Sequence, residues 1–223
     1  MGLLLFCLSA KKDFFRWPME HSTEILYNKT EVYCSRVHRF GSDALLLARF
    51  CPPKRTQKAA DLCSGCGIVS LEWHDSGHRG PCTALELQPE ASALLAQAVA
   101  EQGLDHIVPL CADLRTCREG EGTYDLCACN PPYFTDGFQS ADAARATARH
   151  ETDCTLDDVC ACGFRLLKDG GRLALCHRPE RLAEVLAVLR AHRLEPKRLA
   201  FVKNRPDSAP WLFLVEAQKN RKT

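Results

Sequence analysis

Lys58-Ala59-Ala60-Asp61-Leu62-Cys63-Ser64-Gly65-Cys66-Gly67-Ile68 is the stretch on which the fold turns. Its apolar first half reads as a short buried strand, its glycines as a tight turn, and Ile68 as the start of a helix. Glycines at such a turn let the backbone approach a ligand closely, and the helix N-terminus adds a favourable dipole. Working outward, strands are expected at 58–62, 81–86, 107–111, 124–129 and 171–176, the last entered through a turn at Gly170-Gly171. Helices are expected at 68–76, 89–102, 155–167 and 179–192, with one more running through Phe50, capped by Ser42 and ended by Pro52-Pro53. This alternation implies an α/β fold with a doubly wound, mostly parallel sheet. Two last strands, 197–203 and 211–216, flank a polar stretch and read as an antiparallel closing pair.

Successive strand ends carry a series of polar signals. Glu86 closes the second strand, where a carboxylate can accept both ribose hydroxyls of a nucleoside. Asp113 follows the third, where it can accept a hydrogen bond from an adenine amino group. Singly, Asp113 reads as a helix cap or a solvated loop residue, and a Gly-x-Gly as a packing turn. Together with Asp61 they mark one ligand crevice along the carboxyl edge of one sheet, fit for an adenosine-containing cofactor. A dinucleotide fingerprint would need a third glycine where Ser70 stands, which disfavours a nicotinamide dehydrogenase.

The fourth strand, Tyr124-Asp125-Leu126-Cys127-Ala128-Cys129, runs into Asn130-Pro131-Pro132-Tyr133. Asn-Pro is an ordinary turn pair. Here, however, it closes a buried strand at the ligand-binding edge. Prolines remove backbone donors and fix φ, so the Asn130 side-chain oxygen and the Pro131 carbonyl become rigid acceptors. Two rigid acceptors suit a reaction at a planar amine, whose two N–H groups they grip.

With these motifs the chain resembles class I S-adenosylmethionine-dependent methyltransferases of the Asn-Pro-Pro-Tyr group. More narrowly it resembles the bacterial tRNA1(Val) (adenine(37)-N6)-methyltransferase family. Further stretches carrying the likeness are Arg39-Phe40-Gly41-Ser42-Asp43-Ala44, Ala148-Arg149-His150-Glu151, Thr155-Leu156-Asp157-Asp158-Val159, His177-Arg178-Pro179-Glu180-Arg181-Leu182 and Leu194-Glu195-Pro196-Lys197-Arg198-Leu199. It spans roughly residues 20 to 217 and implies a Rossmann-like domain that methylates an adenine N6 in tRNA with S-adenosyl-L-methionine. It further implies Asp43, Asp61, Ser64, Gly65, Gly67, Glu86, Leu87 and Asp113 as cofactor-binding residues, with Leu87 packed on the adenine ring. Asn130, Pro131 and Tyr133 would be catalytic, Tyr133 stacking on the flipped-out base with Phe134 beside it. Arg149 and His150, with Arg145, would meet RNA from a polar segment, 135–153, expected to form a lid. No metal is required. Cys63 and Cys66 depart from the family pattern, standing where glycine or another small residue is common. The chain also departs in its first twenty residues, and in stopping soon after 216, where the family pattern continues. That last difference is expected to bear on tRNA docking more than on donor binding.

A chain of 223 residues with 46% hydrophobic content can bury a sizeable core. Residues 1–20 read as an N-terminal extension, and 21–223 as a single domain. The apolar run at 3–8 is too short to span a bilayer and lacks the basic residues that open an export signal. The fourteen cysteines fall mostly within apolar strands and helices, as buried reduced thiols in a cytoplasmic protein would. Cys63-x-x-Cys66 has zinc-ligand spacing, and Cys127, Cys129, Cys160 and Cys162 form two closer pairs. Cys127 and Cys129 share a face of a buried strand, whereas Cys160 and Cys162 lie about 200° apart on a helix, which opposes a shared site.

Net charge is only +1, but it is unevenly spread: residues 51–162 hold 8 basic and 17 acidic side chains, residues 163–223 hold 14 and 6. The last third can therefore present a basic face to a phosphate backbone, or simply a solvated helix surface. Two rival functions stay open. One keeps the fold and changes the acceptor to a ribosomal RNA guanine amine or a release-factor glutamine amide. The other is a non-catalytic RNA-binding module with a methyltransferase fold.

Overall fold

The computed structural model describes residues 21–131 and 154–221. Among them run β1 (Ser22–Ile25), β2 (Glu31–Cys34), α1 (Ser42–Phe50), β3 (Ala59–Leu62), α2 (Ile68–Asp75), β4 (Cys82–Glu86), α3 (Pro89–Gln102), β5 (Ile107–Cys111) and β6 (Tyr124–Cys129). There follow α4 (Leu156–Leu166), β7 (Leu167–His177), a 3-10 turn at Pro179–Arg181, α5 (Leu182–Ala191), β8 (Leu194–Val202) and β9 (Leu212–Lys219). The main sheet has seven strands in the order β5-β4-β3-β6-β7-β9-β8, and β9 alone runs against the rest. The chain order reverses direction at β3, which lies between β4 and β6. Open α/β sheets bind ligands above such a switch point.

The helices cover both faces of the sheet. On one, Leu47, Leu71, Trp73, Leu94 and Leu95 of α1–α3 pack with β2 against the strands. The Trp73 indole N–H donates to the Ala48 carbonyl at 3.1 Å, joining α2 to α1. On the other face Val159, Cys160, Leu166, Val185 and Leu189 of α4 and α5 meet Cys127, Leu173 and Phe213. Ten of the thirteen described cysteines are buried and all thirteen are free. They behave as the small apolar residues their neighbours in sequence imply. No helix among the described residues is long and apolar enough to cross a membrane.

Several expectations are corrected. The β1–β2 hairpin is not legible in the sequence, because all four residues of β1 are exposed and show no apolar alternation. Gly41, not Ser42, takes the N-cap of α1, and no side chain caps it. The fifth strand begins at Leu167, and Gly170-Gly171 lies inside it. Tyr124 pairs with Leu167 but Leu126 with Arg172, so the intervening residues bulge, and Gly170 at φ 76° supplies the turn. Thr155 caps α4 rather than opening it, exchanging side-chain hydrogen bonds with Asp158 in a capping box. The expected helix at 179–192 is a 3-10 turn followed by α5.

Candidate active site

The loop after β3 turns on three left-handed residues: Cys63 (φ 56°), Gly65 (φ 55°) and Gly67 (φ 83°). The Ser64 N–H donates to the Leu85 carbonyl at 3.0 Å, fastening the loop to β4. Gly65 lines a cleft of about 310 Å3, and a methyl built on it would meet no atom of the described residues within 4 Å. Gly67 instead lies behind the loop, where a methyl would overlap the Leu95 side chain. Its lack of a side chain therefore permits the close approach of α2 to α3. Ser70, at the missing glycine position, is fully buried, and its hydroxyl donates to the Gly67 carbonyl at 2.9 Å.

Four carboxylates line the cleft: Asp43, taken up below with Asn130, and Asp61, Glu86 and Asp113. Asp61 is 1% exposed and accepts from the Ser70 N–H at 3.1 Å. Burial raises its pKa to about 7; the Ser70 N–H opposes that rise, and the charge of Glu86 adds to it. Glu86 holds the loop from the next strand, accepting from the Gly65 N–H at 2.7 Å and the Gln88 N–H at 2.9 Å. Asp113 is gripped by Arg115, with Nε to Oδ1 at 3.0 Å and Nη2 to Oδ2 at 2.6 Å, and this partner holds its carboxyl below the usual range.

Asn130 stands one residue past β6, with Pro131 buried beside it in the cleft wall. Its Nδ2 donates to Asp43 Oδ2 at 3.4 Å, and its Oδ1 accepts from the Cys176 thiol at 3.0 Å. A carboxylate only accepts, so the amide nitrogen must face Asp43 and the oxygen is left toward the thiol. Asp43 itself is steadied by accepting from the Ala44 N–H at 2.9 Å.

The structure thus brings Asp43, Asp61, Ser64, Gly65, Glu86, Leu87, Asp113, Asn130 and Pro131 into one cleft. Tyr133, Phe134, Arg145, Arg149, His150 and the expected lid at 135–153 lie outside the described residues. Sequence reasoning missed Cys154, which lines the cleft, Arg115 on Asp113, and Cys176 behind Asn130. Cys63 and Cys66 diverge despite their spacing. Cys63 interacts with Cys129 and Cys154, and Cys66 with Cys34 of β2. Among the described residues no group of three or more His, Cys, Asp or Glu side chains is arranged to hold a metal ion.

The cleft has the chemistry to hold an adenosine carrying a charged tail. The Ser64 hydroxyl is buried in its wall with no partner among the described residues, and Leu87, 40% exposed, offers an apolar surface to a ring. Asp61 would meet an ammonium, Glu86 a diol and Asp113 an exocyclic amine, with the reactive end of the ligand beside Asn130.

Comparison with known proteins agrees with this geometry. The model of a family described as methyltransferase small domain matches residues 24–180. A tRNA1(Val) (adenine(37)-N6)-methyltransferase of Parabacteroides distasonis is 27% identical over 180 residues, covering 80% of this chain and 76% of the relative. One of Dickeya chrysanthemi is 34% identical over 140 residues, 61% of this chain and 55% of the relative. Among solved structures, a geranyl diphosphate methyltransferase in complex with SAM superposes with a TM-score of 0.59 at 15% identity, covering 80% of this chain and 84% of that one; at that identity the likeness concerns the fold.

Proposed function

The chain belongs to the methyltransferase small-domain family, and from that premise we propose that it methylates N6 of an adenine in tRNA with S-adenosyl-L-methionine. The adenine at position 37 of tRNA1(Val), named in both relatives, is the specific acceptor. The observation that carries this reading is the Asn130 carboxamide, held at the carboxyl end of β6 in the same cleft as Asp61 and Glu86. Buried reduced thiols fit a cytoplasmic enzyme.

When bound, the cofactor supplies an electrophilic methyl group on a sulfonium. Asp61 would pair with its ammonium, Glu86 would accept from its ribose hydroxyls, and Leu87 and Asp113 would receive its adenine. The lone pair of the acceptor N6 is delocalised into the ring, so the nitrogen is a poor nucleophile. Asn130 Oδ1 and the Pro131 carbonyl accept its two N–H bonds, favouring a pyramidal nitrogen and stabilising the positive charge that develops there. Oδ1 has two lone pairs, so it can receive the substrate while still accepting from Cys176. The methylated nitrogen is acidic and releases its proton without a strong base, so orientation and electrostatics supply most of the acceleration.

The test is incubation of the purified protein with labelled S-adenosyl-L-methionine and total tRNA from a strain lacking it, followed by digestion to nucleosides. Label in N6-methyladenosine, abolished by Asn130→Ala while tRNA binding persists, is the expected result. An unlabelled tRNA pool with donor binding intact would overturn the tRNA reading and direct attention to ribosomal RNA and release factors.

A further inference from the structure

The register of the sheet connects the acceptor end of the cleft to its open edge. Cys129 pairs with Leu175, His177 with Phe213, and Phe213 with Phe201. Two residues past Cys129 stands Pro131, so Pro131, His177, Phe213 and Phe201 share one level of the sheet. Strands lie about 4.8 Å apart, which puts Phe201 about 14 Å across the sheet from the cleft wall. Rings follow the same line: His177 and Phe213 have centroids 6.5 Å apart, as do Phe213 and Phe201. The first two rings are buried, whereas Phe201 is 48% exposed, and Leu199 two residues back is 43% exposed.

Charge gathers at the same edge. Residues 196–206 contain four basic side chains and no acidic one. Of these, Lys203 and Arg205 are exposed on the loop from β8 to β9, at the same end of the sheet as the carboxyl ends of β6 and β7. Lys203 Nζ donates to the Pro206 carbonyl at 3.2 Å. The Arg205 guanidinium has no partner among the described residues. Arg178 is exposed immediately past His177, and Glu180 and Asp207 are the acidic neighbours, leaving the edge net positive. Basic residues on an edge strand are common as a guard against strand pairing. That guard explains the charges but not Phe201 and Leu199, whose exposure weakens it.

We propose that the β8 edge and the loop after it dock the tRNA around the target base, with backbone phosphates on Lys203, Arg205 and Arg178 and an unstacked neighbouring nucleotide against Phe201. This rests on the tRNA reading above. Loop nucleotides are the part of an RNA that aromatic side chains can stack on, and a base withdrawn into the cleft leaves its neighbours unstacked at the rim. The positive edge favours a polyanion over an apolar protein partner.

The full chain carrying Lys203→Glu with Arg205→Glu, and separately Phe201→Ala, is compared with wild type for tRNA binding across a salt series, donor affinity and methylation kinetics. The charge reversal is expected to raise Kd and KM for tRNA at least tenfold, with donor affinity and saturating kcat within twofold of wild type. Its log K against log salt should be shallower by about 1.4 to 1.8, from two lost phosphate contacts. Phe201→Ala is expected to raise Kd severalfold without changing that slope. Wild-type binding by both variants, while the wild-type enzyme methylates tRNA, overturns the docking surface and leaves the activity standing. Wild type that binds tRNA through these residues without methylating it removes the activity and leaves the surface. Wild type that binds the donor but no tRNA removes both.

Discussion

The thiol of Cys176 donates to the side-chain oxygen of Asn130 at 3.0 Å, across the junction of β7 and β6. This contact and the one from Nδ2 to Asp43 hold the amide at both ends. The second is long, so the thiol is the better-formed anchor of the oxygen proposed to receive the substrate. A neutral hydrogen bond contributes about 1 kcal/mol, close to a fivefold change in rate if it acts on the transition state. Cys176→Ala should therefore lower kcat by about three- to tenfold with donor Kd unchanged. Cys176→Ser, which keeps a donor, should recover most of it. Equal loss in both variants, or a loss in donor binding alone, would remove Cys176 from this role.

Asp61 is expected to make donor binding depend on pH. Its folded pKa, raised by burial to about 7, lies above the ordinary aspartate value of 3.8. The folded state therefore holds an extra proton between roughly pH 4 and 7. The stability this contributes is complete below the lower value and is lost as pH rises through the upper one. Asp61→Asn should accordingly stabilise the donor-free protein at pH 8, on the order of a few kcal/mol, and flatten the decline in Tm between pH 5 and 8. An ammonium beside Asp61 reverses the preference, so donor affinity should rise from pH 6 to 8 in wild type and not in the variant. Parallel pH profiles for the two proteins would show that Asp61 does not titrate in this range.

Much of this site is legible from one sequence because each strand end announces itself locally. Asp61, Glu86, Asp113 and Asn130 each follow an apolar run, and a parallel sheet collects such ends on one edge. The remainder depends on which distant residues lie side by side. Cys176 meets Asn130 only because Cys129 pairs with Leu175, and no local pattern fixes that register. Arg115 sits two residues from Asp113, yet its grip depends on a rotamer rather than a motif. The β1–β2 hairpin is hidden for another reason. It is held by polar contacts to its turn, where the Asn28 N–H donates to Asp75 Oδ2 at 2.8 Å and the Thr30 N–H to Asp75 Oδ1 at 3.0 Å.

Gly65 and Gly67 stand two residues apart in one loop and should fail differently when changed to alanine. Both have positive φ, which alone costs a side chain about 1–2 kcal/mol. At Gly67 the new methyl also overlaps Leu95 in the core, adding about 1–3 kcal/mol of overpacking. Gly67→Ala should therefore lower Tm markedly, and donor affinity should fall only as far as the fold loosens. At Gly65 the methyl meets no atom of the described residues and enters the cleft instead. Gly65→Ala should lower Tm by a few degrees at most while weakening donor binding tenfold or more, measured by calorimetry at a temperature where both variants are folded. The reverse ranking, with Gly65→Ala the less stable and Gly67→Ala the poorer binder, would mean that the donor does not lie against the Gly65 side of the loop.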